Sequence, residues 1–259
     1  MNYVAAGVAL ASIAVASHFV SVDSPRVKAM TFHDDEADAR DRKFVLNEAA
    51  GPPLTLDART LTCIPSRSTF IECVTNMIEA ENSVIMYDRW KYWKIRDAST
   101  AGMIIGDDHE RWIDEKLARY QTKSLIELDR RMNLVPVKMA VAMAAVESGW
   151  GTSYAARVGN ALFGQIQSTG KHDVKVPWNP GHDMPQPFAS YRDSVNAFIL
   201  NLNVHPAYDK MRRNRENTLD SYTLMGFMER YSERGHAYIK YVRGVMKDID
   251  NVKAKQPGT

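Results

Sequence analysis

Apolar residues recur at helical spacing between positions 137 and 145 and stop where a glycine-rich stretch begins. They are Val137, Ala140, Val141, Ala144 and Ala145. Pro136 suits the first turn of a helix, while Gly149 and Gly151 leave helical geometry readily. The pattern predicts a helix whose last turn carries Glu147.

Two further stretches show helical periodicity. The first is Phe70, Val74, Met77, Ile78 and Glu81, and the second is Ile113, Leu117, Tyr120, Leu125, Leu128 and Met132. Between them, residues 87–93 are aromatic and basic, and we expect them to pack on the core rather than form a binding surface. Alternating β-branched runs are few and repeats are missing, so the sequence predicts a mainly α protein.

The N-terminus is apolar and alanine-rich from Tyr3 to Val22. Ala14-Val-Ala16 matches the A-x-A pattern of a secretory signal, although no Lys or Arg precedes the apolar run. If it is not cleaved, the run of about twenty residues is long enough to anchor the chain in a membrane. Residues 1–22 are therefore predicted to be a signal peptide or signal anchor, and the protein to be exported to the periplasm or cell envelope.

Residues 23–60 have a different composition, with dense charge from Asp34 to Lys43 and a break at Gly51-Pro-Pro53. We interpret them as a flexible charged arm. The whole chain of 259 residues is 45% hydrophobic with a formal charge of +2, enough for one well-buried domain and too little charge to indicate a partner. The basic cluster at 210–215 is interpreted as a solvated helix face, and no nucleic acid partner is expected.

Glu147 is the leading chemical candidate. A carboxylate in a last helical turn faces the negative end of the helix dipole, and apolar neighbours such as Trp150 would desolvate it. Both effects raise the pKa of the carboxyl group, which suits a general acid that protonates a glycosidic oxygen. An exposed helix-end glutamate without chemistry is the alternative.

Several segments then indicate a family. They are Glu147-Ser-Gly-Trp-Gly-Thr-Ser153, Gly159-Asn-Ala-Leu-Phe-Gly164, Phe188-Ala-Ser-Tyr-Arg-Asp-Ser-Val195, Asn201-Leu-Asn-Val-His-Pro-Ala-Tyr208, Tyr231-Ser-Glu-Arg-Gly-His-Ala-Tyr238, and a lead-in at 70–82. Together they resemble the Bax-like branch of bacterial endo-β-N-acetylglucosaminidases, glycoside hydrolase family 73. The resemblance covers most of residues 65–250.

This resemblance implies a lysozyme-like helical domain with a small loop or β-hairpin lobe near 165–188. It implies peptidoglycan as substrate, Glu147 as the essential acid and Tyr231 as a residue that lines the cleft, in a bacterial or phage protein without a cofactor. Tyr238 lies seven positions after Tyr231, and we expect it to have a packing role. The predicted organisation is a helical lead-in at 61–123, a catalytic domain at 124–250 and a disordered tail at 251–259.

The mechanism also needs a base, a nucleophile or the acetamido oxygen of the substrate itself. Asp173 and Asp183 are the carboxylates in the lobe and are candidates, although loop roles are equally consistent with their setting. His172 and His182 precede them, but the motif of a zinc site does not occur and no metal is expected. Further substrate-binding candidates are Ser148, Trp150, Asn160, Phe163, Gln165 and Trp178.

Nucleophilic chemistry is less consistent with the sequence. Ser148 follows a glutamate on a helix, without the Gly-x-Ser-x-Gly elbow of serine hydrolases. Cys63 and Cys73 lie outside the matched motifs, and they form either a disulfide or two buried thiols.

Three functions compete. The preferred one is hydrolysis of the β-1,4 bond after N-acetylglucosamine. A lytic transglycosylase would instead cut after N-acetylmuramic acid, and a Leu162-Phe-Gly-Gln165 segment in place of a Gly-Leu-Met-Gln type motif argues against it. A non-catalytic wall-binding or assembly protein is the third possibility, because the lobe lacks a second glutamate.

Overall fold

A computed structural model describes residues 66–165 and 187–254. These residues form α-helices and two short 3₁₀ turns and include no strand, which confirms the mainly α class. The helices are α1 Arg67–Thr100, α2 Asp107–Arg119, α3 Leu125–Arg131, α4 Val137–Ser148, α5 Tyr154–Gly159, α6 Tyr191–Val204, α7 Asp209–Arg215, α8 Ser221–Met225 and α9 His236–Ala254. The apolar N-terminus, the charged arm and the hairpin lobe lie outside the described residues.

Helix α4 is the centre of the molecule. It is apolar on every face and packs against α1, α8 and α9. Its alanines allow these neighbours to approach closely, and Met139 and Met143 fill the remaining space without exposure. The helix predicted from the 137–145 stripe is confirmed, with Glu147 in its last turn.

Helix α1 begins at a serine cap and runs far beyond its predicted apolar stripe. The Ser66 hydroxyl accepts a hydrogen bond from the Thr69 amide at 3.1 Å, which satisfies one free N–H of the first turn. The aromatic stretch 87–93 belongs to this helix and does not connect two helices. Its packing role is visible where the Tyr92 hydroxyl donates to the Leu125 carbonyl oxygen at 2.9 Å.

The single helix predicted from Ile113 to Met132 is wrong. The structure contains α2 and α3, separated where Gln121 adopts a φ of +52°, a left-handed conformation that ends a helix. Ser124 then caps α3 by accepting a hydrogen bond from the Glu127 amide at 3.3 Å. Leu117 of α2 and Leu125 and Leu128 of α3 all pack on one core, so their spacing imitates a single helix.

The basic cluster at 210–215 is not a solvated face throughout. Arg212 and Arg215 are buried. Arg212 donates to the carbonyl oxygens of Leu202 and His205 at 3.1 and 2.8 Å. Since the last carbonyls of a helix lack partners within it, this buried arginine caps the end of α6.

Two other predictions concern residues near the ends of the described ranges. Residues 251–254, predicted as part of a disordered tail, are the end of α9. Cys73 is buried in α1 and disulfide-bonded, and the other cysteine of the chain, Cys63, lies outside the described residues. None of the described helices is long and apolar enough to cross a bilayer.

Candidate functional site

Glu147 lies half-buried in the last turn of α4, where the helix stops abruptly. Gly149, Trp150 and Gly151 have φ values of +57°, +59° and +77°. Three consecutive left-handed residues cannot continue a right-handed helix, so the chain turns sharply after the carboxylate. We call residues 149–151 the α4 turn.

Ser148 holds this turn together from inside the protein. Its side chain is fully buried, and its hydroxyl donates to the Ala144 carbonyl oxygen at 2.6 Å. The Oγ atom of Ser148 in turn accepts a hydrogen bond from the Gly151 amide at 2.8 Å. Ser148 was predicted to bind substrate, but in the structure it supports the turn and does not reach the surface.

Gly164 lies close to the Glu147 carboxylate. Its φ is +60°, and a Cβ atom placed on it would lie 2.8 Å from Glu147 Oε2. Both the backbone conformation and the close approach require glycine at this position. The 159–164 segment therefore passes close to the candidate acid at Gly164.

Tyr231 fixes that segment. Its hydroxyl donates to the Phe163 carbonyl oxygen at 2.9 Å, next to Gly164. Phe163 itself is buried and its ring is stacked on that of Phe198 at a centroid distance of 3.8 Å. Phe163 was expected to contact substrate, and the structure places its side chain in the core.

Tyr238 lies closer to the site than the sequence indicated. Its ring stacks on that of Tyr231 at 5.5 Å, and its buried hydroxyl adjoins the Glu147 carboxylate without closing a hydrogen bond of normal geometry. The two tyrosines do not share a helix face, because Tyr231 ends a 3₁₀ turn and Tyr238 is in α9. Gly235, with a φ of +51°, lies between the 3₁₀ turn and α9. This glycine is the feature of the sequence that could have predicted the separation of the two tyrosines.

The electrostatics of Glu147 combine three effects. Burial raises the pKa of its carboxyl group, while the nearby Tyr238 hydroxyl and the positive charge of Arg234 oppose the rise. The net pKa remains above the ordinary value of a glutamate. Burial also raises the pKa of Tyr231 and Tyr238 well above that of free tyrosine, so both phenols stay protonated and can donate hydrogen bonds.

The other site candidates are distributed as follows. Trp150 is half-buried in the α4 turn. The side-chain amide of Asn160 donates to the Phe188 carbonyl oxygen at 2.9 Å, and the Gln165 side-chain oxygen is buried without a hydrogen-bond partner. Asp173, Trp178 and Asp183 lie outside the described residues. Within the described ranges, no group of three or more His, Cys, Asp or Glu side chains could hold a metal ion.

These features define a helical domain with a partly buried glutamate at the end of its central helix, and comparison with known proteins gives its family. Residues 122–253 match the Glucosaminidase family, described as mannosyl-glycoprotein endo-beta-N-acetylglucosaminidase, and the chain belongs to this family. Protein bax of Escherichia coli strain K12 is 28% identical over 198 residues, 71% of this chain and 70% of that protein. No solved structure matches the chain.

The comparisons confirm the resemblance to Bax-like glucosaminidases that the motifs carry. Membership of this family suggests a glycosidase that acts on a glycan such as peptidoglycan, and therefore a place outside the cytoplasm. Helices α1 and α2 precede the matched range.

Proposed function

We propose that the protein is a peptidoglycan hydrolase that cleaves the β-1,4 bond after N-acetylglucosamine, with Glu147 as its general acid. The observation that carries the proposal is the setting of this carboxyl group. It is half-buried at the end of α4, its pKa is raised by burial, and the backbone of Gly164 lies close to its Oε2 atom. A protonated carboxylic acid at the surface of a glycan site can donate its proton to the leaving oxygen.

The tyrosines give the acid its geometry in this proposal. Tyr231 holds the backbone beside Gly164 through its hydrogen bond to Phe163. Tyr238 offers a hydroxyl to the ionised carboxylate that remains after proton transfer. A hydrogen bond that favours the charged form stabilises the product of that step.

The second group has two possible sources. Among the described residues, no other carboxylate contributes to the pKa shift of Glu147. The candidates for this group are Asp173 and Asp183, which lie outside the described residues, and the acetamido oxygen of the substrate. If Asp173→Asn and Asp183→Asn both keep full turnover, the acetamido route is favoured, whereas loss in one variant identifies the aspartate.

The disulfide of the chain and the proposed substrate support an extracytoplasmic enzyme. Cys73 is disulfide-bonded, and disulfides persist mainly in oxidising compartments outside the cytoplasm. The glycan strands of peptidoglycan lie in the same compartment. We propose export through residues 1–22, either by a cleaved signal or by an anchor.

The test is the chemistry of the released fragments. Purified protein of residues 1–259 is incubated with purified peptidoglycan, and the products are reduced with borohydride and analysed by mass spectrometry. We expect reduced N-acetylglucosamine ends from the wild type and none from Glu147→Gln. The matched control is Glu115→Gln, which makes the same change on the exposed face of α2 and should keep full turnover.

Other products would contradict the proposal in distinct ways. Anhydro-muramic ends would assign the protein to the lytic transglycosylases. A wild type that binds peptidoglycan and releases no fragment over a broad pH range would make it a wall-binding protein. Equal product from wild type and Glu147→Gln would remove Glu147 from the mechanism.

A further inference from the structure

The first turn of α1 lies against the α4 turn. The ring of Phe70 meets the ring of Trp150 edge to face, at a centroid distance of 5.8 Å and an angle of 68°. The guanidinium carbon of Arg67 lies 4.7 Å from the centre of the same indole. Two residues that precede the Glucosaminidase match therefore contact the tryptophan three positions after Glu147.

Trp150 needs such contacts because its backbone conformation is unfavourable. A φ of +59° is a left-handed value, which is strained for any residue other than glycine. The Trp150 amide donates to the Ala145 carbonyl oxygen at 2.9 Å, which ties the residue to the last turn of α4. An edge-to-face aromatic pair and a cation over an indole are both stabilising, and both oppose this strain.

We propose that Arg67 and Phe70 are positioning residues of the active site, which hold Trp150 and through it fix the α4 turn beside Glu147. This inference rests on the proposed function. In this proposal neither Arg67 nor Phe70 contacts the substrate. Helix α1 then contributes to the geometry of the active site as well as to the hydrophobic core.

Arg67 is the residue that distinguishes positioning from packing. Phe70 is fully buried, and any truncation of it would weaken the core. Arg67 is exposed, so its removal leaves the core filled and acts through the contact with Trp150. The decisive measurement is therefore the coupling between positions 67 and 150.

A double-mutant cycle on the full chain measures this coupling. The variants are Arg67→Ala, Trp150→Leu and their combination, with Trp150→Leu keeping the left-handed strain while it removes the ring. We expect Arg67→Ala to lower kcat about 2- to 10-fold with little change in KM, and to have no further effect in the Trp150→Leu background. Arg67→Lys should recover part of the loss, because it restores a cation over the ring.

Two results would overturn the inference. One is an equal loss from Arg67→Ala in both backgrounds, and the other is no loss at all. The control is Arg111→Ala, which removes an exposed arginine paired with Asp108 on α2 and should leave kcat unchanged.

A second readout does not depend on turnover. NMR titration of the side-chain carboxyl carbon of Glu147, in protein labelled with ¹³C-glutamate, reports the pKa of that group. A loosened α4 turn admits water, so Arg67→Ala should lower this pKa toward the ordinary value, whereas simple loss of a positive charge would raise it. Tyr231, Tyr238 and Arg234 surround the carboxyl group and are unchanged in every variant.

The two readouts separate the two proposals. A wild type without hydrolytic activity whose Glu147 pKa falls in Arg67→Ala would refute the proposed function and retain the positioning role. An active wild type whose kcat and Glu147 pKa are both unaffected by Arg67→Ala would do the reverse.

Discussion

Three neighbouring groups enclose the carboxyl group of Glu147. Its neighbours are the backbone of Gly164, the hydroxyl of Tyr238 and the charge of Arg234. Each neighbour acts differently: the glycine limits the space beside the carboxylate, the hydroxyl lowers its pKa, and the positive charge of the arginine offsets part of the effect of burial. Changes at these positions should therefore separate steric, hydrogen-bonding and electrostatic contributions.

Gly164→Ala tests the steric contribution. The new Cβ would lie 2.8 Å from Glu147 Oε2, so the carboxylate must move and turnover should fall by about 10-fold or more. Gly102→Ala is the matched control, because Gly102 also has a positive φ of +77° and an added Cβ there meets nothing within 4 Å. Both variants should lose about 1 kcal/mol of stability by urea unfolding, and only Gly164→Ala should lose activity. Equal activities would show that the site tolerates displacement of the carboxylate.

Glu147→Gln should be at least as stable as the wild type at neutral pH. The folded-state pKa of Glu147 is raised by burial, so its contribution to stability is fully present below the unfolded pKa and is lost as pH rises through the folded pKa. The amide carries no charge and avoids that loss. Thermal unfolding of both proteins between pH 3 and pH 8 checks this, and a variant that becomes less stable relative to the wild type as pH rises would contradict it.

Tyr238→Phe should move the pH profile of activity. A general acid works while protonated, so turnover is lost as pH rises through the pKa of Glu147. The Tyr238 hydroxyl lowers that pKa, and its removal should shift the descending limb to higher pH and reduce the maximal rate. Tyr241→Phe, at an exposed position of α9, should leave the profile in place. A limb that stays fixed in Tyr238→Phe would exclude contact between the hydroxyl and the acid.

At the scale of the elements, buried and half-buried arginines donate hydrogen bonds to the carbonyl oxygens at the ends of helices inside the protein. Arg215 donates to the carbonyl oxygens of Leu134 and Arg130 at 3.0 and 3.2 Å, at the end of α3. Arg89 donates to the Asp129 and Met132 carbonyl oxygens at 2.5 and 2.6 Å from the side of α1. The end of α3 is therefore satisfied by side chains from two other helices.

Arg215→Met should cost about 2–4 kcal/mol of stability, because it leaves buried carbonyl oxygens without donors. Arg213→Met is the matched control in the same helix. The Arg213 side chain is 65% exposed and pairs with Asp209, so its loss should cost less than about 0.5 kcal/mol. Urea unfolding measures both, and equal small losses would show that water replaces the arginine at the end of α3.

At the scale of the whole molecule, the family match does not delimit the folding unit. Phe70, Val74, Met77 and Ile78 of α1 are buried in the same core as α4 and α9, and α1 contacts α4, α6 and α9. The matched residues 122–253 would lack this side of the core. The lead-in and the glucosaminidase region form one packed unit.

A fragment of residues 122–254 should therefore fail to unfold cooperatively. Without α1, the apolar faces of α4 and α6 are exposed to water, and the expected product is an aggregate or a loosely packed state. A fragment of residues 61–254 is the control and should show one sharp thermal transition by circular dichroism. A sharp transition in the shorter fragment would show that α1 is an appendage.

Local patterns in the sequence were sufficient for the elements that depend on neighbouring residues. The stripe at 137–145 identified α4, and the glycines at 149 and 151 placed Glu147 in its last turn, because helical periodicity and left-handed turns are properties of short segments. The motifs identified the family for the same reason. The helix predicted from Ile113 to Met132 failed, since two helices facing one core can share the spacing of one.

Only the tertiary structure determined which groups surround Glu147 and which basic residues are buried. Gly164 approaches the Oε2 atom of Glu147, the Tyr238 hydroxyl lies beside the same carboxylate, and α1 packs against Trp150. Each of these contacts joins positions that are far apart in the chain. The burial of Arg215 likewise depends on which helix end packs beside it. Such contacts follow from how helices pack in three dimensions, and helical spacing reports only which face of each helix is buried.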